Sequence, residues 1–318
     1  MSRIRERAVV PMELAGQRLD QAAAELFPVY SRSRLSEWIK AGALTVDSAK
    51  VRPRALLLGG EALCLEAELS ADTDDHAQPV EFTRIFEDEH LIVVYKPSGL
   101  VVHPGAGHRD QTLVNGLLHF DPALGALPRA GIVHRLDKDT SGLMVVARSL
   151  VAHAALVRAL RRHEVKRTYW LVAEGRMTGG ATVEAPVGRH PRARTRMTVR
   201  EDGRRALTHV RVVERFRAHT LAEAVLETGR THQIRVHMKH LGYPIVGDRS
   251  YGFRGRLPRG AGIALRAQIQ GFRRQALHAR ELALAHPVCG KEMRWRAPLP
   301  EDMQTLLDAL RKDAGEDR

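Results

Sequence analysis

Residues 134–143 read His134-Arg-Leu-Asp-Lys-Asp-Thr-Ser-Gly-Leu and place two carboxylates, Asp137 and Asp139, on either side of Lys138. In an extended stretch, side chains two apart point the same way, so Asp137 and Asp139 are expected on one side and Lys138 on the other. Several chemistries use carboxylates like these. Asp139-Thr-Ser-Gly has a superficial likeness to the Asp-Thr-Gly of an aspartic peptidase. That reaction needs two such loops sharing one proton, and the chain has no second copy. A glycosidase needs a carboxylate pair at a set separation, which one short loop is badly placed to supply. A metal site would draw on His232, His237 and His240, but Arg235 and Lys239 lie among them and no His-Glu-x-x-His spacing occurs. The Gly-rich stretch 101–108 lacks both the Gly-Lys-Ser/Thr of a phosphate-binding loop and a full dinucleotide fingerprint, and reads as a turn of close backbone approach. Neither a metal nor a nucleotide cofactor is expected.

The reactive loop lies between two apolar runs, and the second, 143–147, reads as a buried strand. Loops held by buried strands are where reactive side chains are commonly presented. Near the N-terminus, residues 16–28 predict a short helix with Leu19, Ala23 and Leu26 on one face and Pro28 as its stop. Residues 31–42 predict a second, capped by Ser31 or Ser33, with Leu35, Trp38 and Ile39 as its apolar stripe and Gly42 after its end. Arg32, Arg34 and Lys40 are left for the opposite face. Two β-like runs follow, at 43–46 and 61–65. The segment 301–312 predicts a helix packing Met303, Leu306, Leu307 and Leu310 on the core. These patterns together indicate an α+β chain.

The chain is 318 residues long, which suggests two domains. It has no apolar run long enough for a membrane helix, and no apolar signal core follows its charged first residues. Two cysteines, Cys64 and Cys289, are too few for a disulfide framework and fit a reducing cytoplasm. With no heptad pattern, a monomer is expected. The net charge is +13, but residues 61–90 hold ten acids and one base, so the remainder carries +22. The middle of that acidic stretch has no apolar periodicity and reads as a linker. The expected division is 1–69, a linker over 70–80, and 81–318. Seven arginines lie between Arg189 and Arg205, including Arg192, Arg194 and Arg196, and eight between Arg249 and Arg280. A single charge run is usually solvated surface. Runs made of arginine and broken by glycine and proline instead suit loops that contact phosphate and stack on bases.

The order of elements over residues 16–68, with Ser31-Arg-Ser-Arg opening a helix, resembles the S4 RNA-binding domain. The family usually has Asn-Gly where this chain has Asp47-Ser48, a pair still compatible with a turn. The resemblance implies that Arg32, Arg34 and Lys40 contact RNA backbone. Residues 134–143 resemble the signature of the RluA family of pseudouridine synthases. Three further segments agree with that family in the same order: 88–104, Gly229-Arg-Thr-His-Gln-Ile-Arg-Val-His-Met, and Ala276-Leu-His-Ala.

This second resemblance implies a mixed, mostly antiparallel sheet with a cleft across its face, and isomerisation of uridine to pseudouridine without a cofactor. It makes Asp137 the nucleophile or glycosidic-bond activator, Arg235 the cation that keeps it ionised, and Tyr169 the ring that stacks on the uracil. It has Arg135 fill the space left by a flipped base. Arg189, Arg192, Arg194 and Arg196 are expected to grip RNA. The implied partner is 23S rRNA or the assembling large ribosomal subunit, with helix 69 as the target stem-loop. Other 23S uridines, or a non-catalytic RNA-binding protein with the same fold, are the alternatives; the presence of Asp137, Tyr169 and Arg235 speaks against the second.

Overall fold

The computed structural model describes residues 3–28, 30, 32–68, 76–105, 108, 110–193 and 195–315. The N-terminal unit begins with β1 (Arg3–Val9), followed by α1 (Leu19–Leu26), α2 (Arg32–Ala41), β2 (Leu44–Val46) and β3 (Ala62–Glu68). Its three strands form an antiparallel sheet in the order β1-β3-β2. Leu19, Leu35, Ile39, Leu44, Leu63 and Leu65 are fully buried between that sheet and the two helices. The sequence reading missed β1. Its Arg5-Glu6-Arg7 run breaks the alternation of charged and apolar residues that marks a strand, and only the pairing with β3 distinguishes it from a charged tail. The Asp47-Ser48 turn forms as a two-residue hairpin. Both residues have positive φ, 48° and 67°, and Val46 and Ala49 exchange N–H···O bonds of 3.0 and 2.8 Å. The proposed Ser31 cap lies outside the described residues.

Arg34 departs from its expected place. It is 5% exposed, its guanidinium lies 5.6 Å from the Trp38 ring centroid, and Nη1 donates to the carbonyl of Ala126, 92 residues away, at 3.4 Å. The helix pattern assigned it to the solvent face, but a segment from the rest of the chain covers that face. Arg32 pairs with Asp20 at 2.7 Å while staying half exposed, and Lys40 is exposed.

The larger unit contains β4 (Thr83–Glu87), β5 (Leu91–Lys96), α3 (Leu113–Phe120), β6 (Ser141–Ala147), α4 (Leu150–Arg161), β7 (Lys166–Glu174), β8 (Ala181–Glu184), β9 (Val187–Arg189) and β10 (Met197–Val199). It continues through β11 (Leu207–Arg215), β12 (His219–Leu226), α5 (Gln233–His240), α6 (Ile263–Gly271), β13 (Leu277–Ala285), β14 (Glu292–Arg296) and α7 (Glu301–Gly315). Nine of these strands form one sheet in the order β4-β5-β6-β13-β7-β12-β11-β8, with β14 against β13. Every pairing is antiparallel except β6 with β13. The architecture is therefore α+β with a mixed, mostly antiparallel sheet. β9 and β10 form a separate hairpin.

β5 and β6 read as unbroken apolar runs because both of their faces are covered. Ile92, Val94, Met144 and Val146 join the main core, while Leu91, Val93, Leu143 and Val145 pack against Ala152 and Leu156 of α4. The C-terminal helix buries Met303, Leu306, Leu307 and Leu310 in the main core, as its spacing predicts. Residues 69–75, most of the expected linker, lie outside the described residues. Residues 76–80 are already laid along α3, where Asn115 Nδ2 donates to His76 O at 2.7 Å and Gln78 N–H to Asn115 O at 3.1 Å.

Candidate active site

The loop 133–140 enters β6 at the middle of the sheet and forms one wall of a cleft of about 1000 Å³. It turns rather than extends. Thr140 N–H donates to Asp137 O at 3.1 Å, so the same-side placement of Asp137 and Asp139 expected of an extended stretch does not apply. Backbone bonds from several elements fix the turn. Lys96, fully buried at the end of β5, donates from Nζ to the carbonyls of Pro97 (2.7 Å), Leu100 (2.8 Å) and Lys138 (2.8 Å). Burial pulls the Lys96 pKa down to about 7 against the opposing charges of Asp139 and Asp137. Three carbonyl acceptors match the three donors that the ammonium form offers. On the far side, Arg274 grips Asp302 of α7 with bonds of 2.6 and 2.7 Å and donates to Asp139 O at 3.2 Å. Gln275 donates to Thr140 Oγ1 at 3.0 Å. Gly142 has φ +120°, and a Cβ there would lie 2.2 Å from Ala279 O, so the close β6–β13 crossing behind the loop requires glycine.

Asp137 projects from this turn with its side chain 17% exposed. Its Oδ2 accepts from Arg235 Nη1 at 3.0 Å, bringing together residues 98 apart in sequence. Arg235 lies on α5 and its other edge grips Asp248 in a bidentate pair, Nε to Oδ2 at 2.6 Å and Nη2 to Oδ1 at 3.0 Å. Burial works against the arginine's charge, but the bonds and charges of Asp248, and then of Asp137, outweigh it and raise its pKa. Arg235 is a fixed cation that also lies 4.7 Å from the Tyr251 ring centroid. His232 Nε2 stands 3.9 Å from the second Asp137 oxygen, and its Nδ1 is 2.7 Å from the Tyr251 hydroxyl. That hydroxyl accepts from Met197 N–H at 2.8 Å, tying the β9–β10 hairpin to the Asp137 side of the cleft.

Tyr169 on β7 lines the cleft and is 5% exposed. Burial raises its pKa; Arg167 opposes and Asp137 adds to the rise, so the phenol is protonated at neutral pH. Arg135 is exposed and lines the same cleft. Among the described residues, seven arginines line it against one carboxylate, that of Asp137. The arginine runs divide differently from expectation. Arg189, Arg192 and Arg196 are exposed on the β9–β10 hairpin but do not line the cleft, and Arg194 lies outside the described residues. From the later run, Arg274 braces the loop, Arg280 stacks 4.0 Å from the Trp170 centroid, and Arg256 pairs with buried Glu174 at 3.8 Å. Those three hold the fold together, a role that arginine counting does not separate from RNA contact.

Sequence reasoning missed Asp248, Lys96 and His232. Asp248 is reached from Arg235 only through the fold, and no local spacing points to it. Among the described residues, no group of three or more His, Cys, Asp or Glu side chains is placed to hold a metal, and no helix is long and apolar enough to cross a membrane. His237 is occupied structurally, with Nδ1 2.8 Å from Thr208 Oγ1 and Nε2 2.9 Å from Ala185 O.

Two further histidines support the loop. His134 Nε2 accepts from Val145 N–H at 3.1 Å, and His278 Nδ1 lies 2.9 Å from Ser141 Oγ. Burial pushes the first down to about 3 and the second to about 4 from an ordinary 6.5. Between pH 6.5 and those values the unfolded chain binds protons that the folded chain does not, so stability falls as pH falls through this window. The thermal midpoint is expected to drop on acidification below about 6.5, and His278→Gln to lessen the drop. Identical slopes in the two proteins would remove His278 from this account.

Residues 90–240 match the family described as RNA pseudouridylate synthase. The chain is 56% identical over 308 residues to ribosomal large subunit pseudouridine synthase D of Xanthomonas campestris pv. campestris, covering 97% of this chain and 93% of that protein. It is 55% identical over 310 residues to the protein of the same name from Pseudomonas aeruginosa, covering 98% and 97%. The solved structure of human RNA pseudouridylate synthase domain containing 4 superposes with a TM-score of 0.55 at 25% identity, over 72% of this chain and 92% of that one. Sequence similarity along nearly the whole length agrees with the sheet and its cleft: the chain belongs to the RNA pseudouridylate synthase family.

Proposed function

We propose that this protein converts uridine to pseudouridine in the helix 69 stem-loop of 23S rRNA. The observation that carries the reading is the Asp137 carboxylate held by Arg235 at 3.0 Å in a cleft whose other charged lining residues, among those described, are arginines. The reaction breaks the N1–C1′ bond, turns the uracil and joins C5 to C1′; C5 loses a proton and N1 gains one. Atoms and electrons balance within the nucleotide, so the work left to the protein is binding, orientation and charge.

Asp137 acts at the glycosidic carbon or the base, and the fixed positive charge of Arg235 keeps it anionic once the base has displaced water. Tyr169 stacks on the uracil, worth about 1–3 kcal/mol, and its hydroxyl stands near the proton leaving C5. The target must leave its stack, at a cost of a few kcal/mol, and Arg135 fills the gap. The S4-like unit presents Arg32 and Lys40 to backbone phosphate, and the β9–β10 hairpin adds Arg189, Arg192 and Arg196. Full-length similarity to proteins named for the large ribosomal subunit supports rRNA, free or in an assembling subunit, as the substrate. The expected protein is a cytoplasmic monomer that needs no cofactor.

Incubation with transcribed 23S rRNA, followed by mapping of pseudouridine, tests both parts. Product in helix 69 is expected. Product only elsewhere overturns the target and leaves the chemistry; no product in free rRNA or in precursor subunits overturns both.

A further inference from the structure

Arg167 is the second residue of β7 and faces the cleft on the same side as Tyr169. It is 8% exposed, and its Nε has no hydrogen-bond partner. Its Nη2 reaches only the carbonyl of Glu227, at 3.4 Å. Among the described residues no carboxylate stands within ion-pair distance of it, whereas Arg235 in the same cleft has Asp137 and Asp248. Burial lowers its pKa, with only Tyr169 acting the other way. The backbone makes room for this guanidinium, since a Cβ on Gly229 would lie 2.6 Å from Arg167 Nη1. A buried arginine without a counter-charge is a costly arrangement that an arriving anion relieves.

We propose that Arg167 is an anion subsite that takes a backbone phosphate of the target nucleotide, a role resting on the reading of the cleft as a uridine-isomerising site. Residues two apart on a strand are separated by about 7 Å. A uracil stacked on Tyr169 therefore has its own sugar–phosphate within reach of Arg167. The planar guanidinium offers two parallel donors to the phosphate oxygens. The same contact fixes which way the nucleotide enters, with its phosphate toward the start of β7 and its base toward Asp137.

The test compares the full chain with Arg167→Met and Arg167→Lys, using a helix 69 stem-loop RNA and binding measured across a series of salt concentrations. In the Met variant, the slope of log affinity against log salt is expected to become shallower by about 0.7–0.9, with affinity about five- to tenfold weaker near 0.1 M salt. Lysine restores the slope, because it restores the charge. Without RNA, the Met variant is expected to melt at or above the wild-type temperature, since an unpaired buried charge has been removed. An unchanged salt slope overturns the subsite. So does a clear fall in the RNA-free melting temperature, which would mark Arg167 as a brace of the fold. Failure of the catalytic reading has a different signature: wild-type protein that binds the RNA and forms no pseudouridine.

Discussion

Asp137→Asn is expected to lower the rate of pseudouridine formation on the order of 10⁴-fold or more, roughly 5 kcal/mol of transition-state stabilisation. RNA affinity should stay level or rise slightly. Among the described residues Asp137 is the one acid lining a cleft that carries seven arginines, so neutralising it leaves the electrostatic attraction intact. The fold should also hold, because Arg235 keeps its bidentate pair with Asp248 after the substitution. Product formation under single-turnover conditions and equilibrium binding to the same RNA separate the two effects. Loss of activity accompanied by an equal loss of binding would mean that Asp137 serves binding rather than chemistry.

The second large effect is expected from Asp248→Asn. Asp248 is 3% exposed and takes two charge-assisted bonds from Arg235. The amide keeps the shape of the carboxylate but not its charge, leaving a buried guanidinium with Asp137 as its remaining ionic partner. Breaking one side of a buried ion pair costs about 3–5 kcal/mol, readable by chemical denaturation. Arg235 then becomes free to follow Asp137 alone, and a misplaced cation of this kind costs about 10²-fold in rate. The loss should appear in kcat with KM little changed, because Asp248 does not line the cleft. Wild-type kcat in a stable variant would show that Arg235 needs no such anchor.

These two carboxylates also show what was legible in the sequence. Asp137 stands out because its loop concentrates polar groups between apolar runs, and resemblance supplied Arg235 as its partner across 98 residues. Asp248 carries no comparable local signal. Its part depends on how α5 and the segment after it fold against each other, which spacing along the chain does not encode. The helices at 19–26, 32–41 and 301–315 follow from apolar periodicity, since each buries one stripe. Arg34 breaks that logic because a helix pattern describes one element, and Ala126 from elsewhere in the chain covers what the pattern leaves bare. Charge counting failed similarly over 249–280. Arginine composition cannot distinguish Arg274, locked to Asp302 beneath the reactive loop, from an arginine awaiting phosphate. Arg167 is the converse, a residue the arginine runs did not include and the cleft does.

Transcribed 23S rRNA labelled with tritium at uracil C5, given a small amount of enzyme and no cofactor, distinguishes isomerisation from binding alone. Each isomerisation detaches the C5 hydrogen, so many tritium equivalents released per enzyme, matched one for one by pseudouridine in helix 69, is the predicted result. RNA that is bound but releases no tritium, on free transcript and precursor subunit alike, would contradict the account.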